Sequence, residues 1–462
     1  MNLIKKSYQI FLFLGIFLLP FNSQIPKWFG VLGEYSRDSS PIFFLVAFFF
    51  LAIYGLLKGR IYIPLKSTSY TFFLFFIILL SFSTLLNAFN VVDYFFKQTS
   101  GIQRFVRQLL SVVIAGVAFF LVFVNVCRDY GVKAFFFKIR KLFFISFILV
   151  FICGILEYLI ISFDIKSLQP LFKIFNNLPF VELRLDYNLK RVSSFTYEPP
   201  ALGTYLMTIS GFMFSYIITG KRAYRFVPFF LVVLLALLSK SRTALIVIIL
   251  QSFVGIYLAY KMFPSFRRIF IRSIVFGSVI ALIVMVAFWQ PISEGVSERI
   301  DSLDITKVEY SAKDNSVSNK SRLGIQYAMF KVYKEYPVFG TGWGQQAFES
   351  RFHYPKWATN RNYEFSLKYQ NENIKSFPPG FNMYLRILTE TGIVGFFVFI
   401  LFLYSIVKNT IILHKRKEKY KYITITLLIS FVGMLVNWLQ IDSFGVYGFW
   451  LSLAILIILE KE

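Results

Sequence analysis

The chain is short of the residues that build metal centres. Its 462 residues include two histidines and two cysteines. No Cys/His cluster with ligand spacing exists, so no zinc site is expected and no metal is assigned. Cys127 and Cys153 fall in or beside apolar runs and read as small buried hydrophobes. No Walker sequence is present, which removes a phosphate-loop ATPase. No internal repeat is visible, so the inverted-repeat signature of many transporters is missing. Acidic residues are scarce: 24 Asp and Glu stand against 49 Lys and Arg, giving a net charge of +25.

What the chain has in excess is apolar and aromatic surface. It is 57% hydrophobic and 20% aromatic, with 59 Phe. A soluble domain has too little core to bury that many apolar side chains. They come in runs of about 20 residues, the length of a helix across a bilayer. The expected fold class is therefore all-α, a polytopic transmembrane bundle of about 12 spans. The expected spans are 8–24, 41–57, 69–90, 106–127, 142–164, 200–219, 226–239, 243–262, 269–290, 382–407, 421–439 and 443–460. The first run follows Lys5 and Lys6, and no small-residue cleavage site comes after it, so it reads as a retained span.

The positive charge is distributed as in a membrane protein. Lys and Arg cluster in short loops near 58–66, 128–141, 221–225, 261–272 and 408–421. With the N-terminus inside, all of these loops fall on the cytoplasmic side. Anionic lipid is then the expected partner of the charge, and nucleic acid is not. Both termini are placed in the cytoplasm. The division read from this pattern is spans one to nine over 1–290, a large outer loop over 291–380, and spans ten to twelve over 381–462. Loops of that length are rarely mere connectors.

Four polar motifs gather on the outer side. Arg191 to Gly203 contains Glu198-Pro199-Pro200 at the start of a span, where Pro suits the first helical turn and a carboxylate is favoured. Glu198 and Arg191 read either as helix-end residues or as groups facing a membrane-surface cavity. Ser239-Lys240-Ser241-Arg242-Thr243 breaks an apolar stretch, where charge is costly unless it is solvated or paired. Arg242 is either an interfacial snorkelling residue or a fork for phosphate oxygens. Ser321 to Pro337 reads as an amphipathic helix with Ile325, Met329, Val332 and Tyr336 on one face, lying across the bundle mouth. Phe339-Gly-Thr-Gly-Trp-Gly344 follows as a turn, without the strand and spacing of a dinucleotide motif. In the tenth span Arg386 and Glu390 stand four apart and are expected to pair. Glu157 and Asp442 are expected to be intramembrane structural partners.

Taken together, these motifs resemble the O-antigen ligase/polymerase family of bacterial polysaccharide assembly. The resemblance is best from about 223 to 407. It rests on Arg242 in a Ser-Arg-Thr corner, Arg322 early in a large outer loop, Pro337-x-x-Gly340-x-Gly342, and Asn382-x-Tyr384-Leu through Glu390-x-Gly392. It implies a glycosyltransferase without metal or cofactor, in the bacterial cytoplasmic membrane. Its substrates are a polyprenyl-diphosphate-linked glycan donor and acceptor, and a chain-length regulator protein is a further implied partner. Family ligases usually carry His just before the Asn of the last motif; here that residue is Phe381, which favours a polymerase. His353 does not match the ligase position.

On this reading Arg242, Arg322 and then Arg191 steady the leaving diphosphate, since no metal is there to do so. Glu198 is the expected base. Trp343, Asn382, Tyr384 and Arg386 are expected on the substrate side, the aromatics stacking on sugar or anchoring at the interface. The alternatives are a ligase moving glycan to lipid A core or another acceptor, and a flippase for lipid-linked sugars.

Overall fold

The apolar runs become helices. A computed structural model describes residues 2–220, 222–262 and 315–462. In chain order the long helices are α1 (Asn2–Phe17), α2 (Ser40–Lys58), α3 (Thr68–Leu86), α4 (Gly101–Tyr130) and α5 (Val132–Phe163). They continue with α6 (Pro199–Thr219), α7 (Val227–Leu238), α8 (Arg242–Met262) and α9 (Asn315–Glu335). The last three are α10 (Met383–Arg416), α11 (Lys421–Asn437) and α12 (Tyr447–Lys461). Among the described residues, eight helices are long and apolar enough to cross a membrane. The chain is an all-α polytopic membrane protein. The span expected at 269–290 and the loop segment 291–314 lie outside the described residues, as do Lys221, Arg267, Arg268 and Arg272 of the basic loops.

Several boundaries move, and at α1 and α3 the physical reason is visible. The first helix begins at Asn2, ahead of the expected residue 8, because Lys5 is not left in solvent. Its ammonium meets Asp129 at 2.8 Å, and the Tyr8 hydroxyl donates to the same carboxylate at 2.5 Å. That helix ends at Phe17 and the chain turns before Asn22. The third span stops at Leu86, where Asn87 Nδ2 donates to the Ser83 carbonyl.

The described chain divides into two compact units. The first comprises Met1–Leu79, Val106–Gly255 and Phe397–Glu462. Its core absorbs much of the Phe excess. Trp450 packs on Phe73 with ring centroids 4.8 Å apart, and Trp438 on Phe449 at the same separation. Both indole N–H groups are satisfied by carbonyls, Trp450 by Phe444 at 2.8 Å and Trp438 by Ser443 at 3.1 Å. That is how a large aromatic stays buried without stranding its donor. A polar clamp also sits inside the unit. Gln251 accepts from Ser210 Oγ at 2.7 Å and donates to the Met207 and Ile429 carbonyls. Phe49, Leu56 and Leu57 of α2 remain exposed, as a lipid-facing side requires.

The second unit comprises Leu80–Phe105 and Ile256–Phe396. Its helix α9 buries Ile325, Met329 and Val332, three of the four residues expected on one face; Tyr336 lies one residue beyond the helix and is half-buried. It ends at Glu335, two residues before Pro337. A small hairpin pairs Phe95–Phe96 with Thr99–Ser100. Lys97 and Gln98 form its turn with positive φ. The Lys97 side chain is buried, and its ammonium donates to the carbonyls of Lys368 (2.5 Å), Asn371 (2.7 Å) and Ile374 (3.1 Å). All three N–H groups of an ammonium are thereby used on one loop.

Candidate active site

In the second unit two of the sequence motifs close on each other. Gly340, Gly342 and Gly344 all have positive φ, so the turn after Pro337 is open only to residues without a Cβ cost. Its strand-like edge meets α10. Thr341 N–H donates to the Thr389 carbonyl at 3.1 Å and Gly342 N–H to that of Glu390 at 2.9 Å. In return Ile393 N–H donates to Pro337 at 2.9 Å. The exchange needs a break in α10, and Gly392 supplies it with φ +62°. A Cβ there would stand 2.2 Å from the Val338 carbonyl oxygen. Asn87 Nδ2 holds the Gly340 carbonyl at 3.0 Å, and Ser83 Oγ lies within hydrogen-bond distance of the Phe339 and Glu390 carbonyls. Ser83 and Asn87 were not singled out in the sequence, although polar residues in an apolar helix are a signal.

Within this knot Arg386 Nε meets Glu390 Oε2 at 3.1 Å, with both side chains buried. The expected i,i+4 pair is formed. Glu390 Oε1 also accepts from the Gln346 N–H at 3.3 Å. The Arg386 guanidinium lies 4.5 Å over the Trp343 ring, and Trp343 is 1% exposed. The structure places Trp343 and Arg386 in the core, with the guanidinium over one indole face. Asn382 Oδ1 accepts from the Leu385 N–H at 3.0 Å and caps α10, with the half-buried Tyr384 in the first turn.

Arg322 stands nearby on α9. Its guanidinium is 5.1 Å from the ring of Phe381, the position at issue between ligase and polymerase. Phe381 has φ +54°, and its carbonyl accepts from Gln326 Nε2 at 3.4 Å. Burial pushes the Tyr369 phenol up, the charge of Glu364 adds to the shift, and that of Arg322 opposes it. Arg322 Nε, Glu364 Oε2 and the Tyr354 hydroxyl have no hydrogen-bond partner among the described residues. Buried polar groups are nearly always paired, so a buried guanidinium N–H with no partner among the described residues calls for a function. A fork with spare donors is the group that suits a diphosphate oxygen. Tyr354, Glu364 and Tyr369 carried no sequence signal, being ordinary loop residues until the chain folds. His353 Nε2 instead meets Glu335 at 3.3 Å.

Residues 227–400 match the family model described as O-Antigen ligase. The match implies a membrane protein that processes glycans in the manner of O-antigen ligases and polymerases. The matched segment contains Arg242, Arg322, the glycine turn and the Asn382–Gly392 motif. No curated protein matches the chain.

The remaining expected residues lie in the first unit, described by itself. Upstream of the matched segment, Glu157 of α5 gathers the 193–194 turn. Its carboxylate accepts from Ser194 N–H at 2.7 Å, Ser193 N–H at 3.1 Å and Ser193 Oγ at 3.3 Å. Glu157 is thus a structural partner, as expected. Arg191 is half-buried just before this turn. Glu198 follows it, exposed and extended (φ −161°, ψ 157°), as the N-cap of α6. Inside the matched segment, Arg242 is the half-buried first residue of α8, after Lys240 with φ +51°. The next residue, Thr243, donates its hydroxyl to Gln440. Asp442 lies in the turn between α11 and α12.

Replacing Glu157 with Ala strands two backbone N–H groups in the bundle, at about 1–3 kcal/mol for each lost acceptor. Glu157→Ala is therefore expected to lower the melting point of the detergent-solubilised protein more than Glu157→Gln, which keeps one acceptor oxygen. Equal melting curves for both variants and wild type would count against the role of this carboxylate.

Proposed function

We propose that the protein polymerises polyprenyl-diphosphate-linked oligosaccharide repeat units, at the outer face of the cytoplasmic membrane, into O-antigen or a capsular polysaccharide. The observation that supports polymerisation over ligation is Phe381 set against Arg322. At the position where the resembled ligases carry an imidazole, this chain presents a ring that can neither take nor give a proton. In the proposed step an acceptor hydroxyl attacks the donor sugar at C1. The C1–O bond to phosphate breaks, the diphosphate leaves with the electron pair, and the hydroxyl proton passes to a base. Arg322 steadies the charge on the leaving diphosphate. On the strength of their motifs alone, Arg242 and Arg191 are proposed as diphosphate-binding cations and Glu198 as a base. Asn382 and Tyr384 set the start of α10 beside Phe381.

Purified protein given lipid-linked repeat units and a chelator, without nucleotide, is expected to yield a ladder of longer products. No lengthening under these conditions overturns the proposal. Transfer of the glycan to lipid A core without lengthening would assign the protein to the ligases.

A further inference from the structure

A second polar site lies wholly within the first unit and is not used in the proposed step. It is a cavity of about 240 Å³ among the loop after α1, the start of α6 and the start of α12. Its charged lining is Glu34, Arg37 and Asp38, and Tyr35, Tyr197, Tyr205 and Tyr447 supply aromatic walls. The two carboxylates are held in place by the fold. Asp38 accepts from the Tyr447 hydroxyl at 2.9 Å and from Asn22 Nδ2 at 3.2 Å. Glu34 accepts from Ser111 Oγ at 2.8 Å and from Gln108 Nε2. Asn22 in turn accepts from the Tyr197 N–H at 3.3 Å, which ties the loop after α1 to the entry of α6. A carboxylate has about four lone-pair positions, so each acid keeps acceptor capacity after two internal bonds. These are acceptors fixed before any ligand arrives.

The lining selects among ligand classes. Two carboxylates repel a phosphate. Arg37, close enough to Asp38 to act on its charge, disfavours a free cation. Hydroxyls and acids disfavour an acyl chain, since a polar group left unpaired against it is costly. What remains is a neutral ligand rich in O–H donors with an apolar face, which can bond to the acids and lie against tyrosine rings. The volume is below the roughly 300–1,000 Å³ of pockets for drug-sized molecules, which points to one ring rather than an oligosaccharide.

We propose that this cavity is a binding pocket for a single neutral sugar ring, held by Asp38 and Glu34 and flanked by Tyr197 and Tyr447. That the sugar belongs to the growing glycan rests on the polymerase reading; the binding itself does not.

The test uses the full chain in lipid nanodiscs free of sugar-headed detergent. The probes are methyl glycosides of glucose, galactose, N-acetylglucosamine and rhamnose, read by saturation-transfer difference NMR. At least one is expected to give a signal that falls ten-fold or more in Ala201→Phe, which fills the cavity. The same loss is expected in Asp38→Asn, which removes a charge without changing size. Melting points identify any variant that fails to fold, and the inference then stands or falls on the other. No signal from any glycoside with wild type, or a signal unchanged in a folded variant, overturns it. Lengthening of lipid-linked repeats is measured in parallel. Binding without lengthening removes the polymerase reading and leaves the pocket, whereas lengthening without binding removes the pocket alone.

Discussion

Arg322→Ala is expected to slow glycan lengthening by roughly 10²–10³-fold while the protein still folds, in line with the loss of one donor aimed at developing charge. The reasoning begins with the side chain's surroundings. Arg322 is half-buried, faces the Phe381 ring and retains a buried N–H with no partner among the described residues. Its removal costs the fold one cation–π contact, worth about 0.5–1 kcal/mol at a partly exposed site. It costs the proposed chemistry a planar fork. Arg322→Lys keeps the charge but not the fork, so it should recover part of the rate and not all of it. The measurement is the initial rate of ladder formation from lipid-linked repeats, with melting points recorded beside it. A wild-type rate in Arg322→Ala would remove this residue from the reaction.

The second large effect is on stability. Arg386→Met leaves Glu390 buried without its cation, and Glu390→Leu leaves Arg386 without its anion. Breaking a buried pair from one side costs about 3–5 kcal/mol, because an uncompensated charge stays behind. Each single variant should therefore melt far below wild type or fail to accumulate. The double variant Arg386→Met/Glu390→Leu replaces both charges by apolar side chains of similar volume and should recover most of the loss. If the double variant also lengthens glycan, the pair serves the fold of the knot. If it folds and is inactive, Arg386 acts on substrate. Thermal unfolding in nanodiscs separates the cases. Additive destabilisation, with the double variant the least stable, would contradict a buried pair.

The two effects differ in how visible their causes are in the sequence. The pair was legible because residues four apart on a helix share a face. The same periodicity exposed the buried side of α9 through Ile325, Met329 and Val332. Apolar runs located the helices, and the shift at α1 came from Asp129, an acid more than a hundred residues away that no local pattern announces. The closure of residues 337–342 on 389–394 was not legible either. Glycines announce a turn, but not which backbone the turn will meet. Arg322 carried a signal as a charge in a motif, whereas Glu364, Tyr354 and Tyr369 acquire meaning only from their packing. Glu34 and Asp38 carry no signal in the sequence, because the cavity they line joins one loop to the starts of two distant helices.

Lys97 adds a constraint of timing. Its nearest acceptor, the Lys368 carbonyl, comes 271 positions later in the chain. At about 5–20 residues per second of synthesis, the ammonium waits roughly 14–54 s before that carbonyl exists. Until then water holds the charge. The hairpin that carries Lys97 can be built early, but its staple closes only once the chain has been made as far as Ile374. The 368–374 loop is thus settled by a residue made long before it.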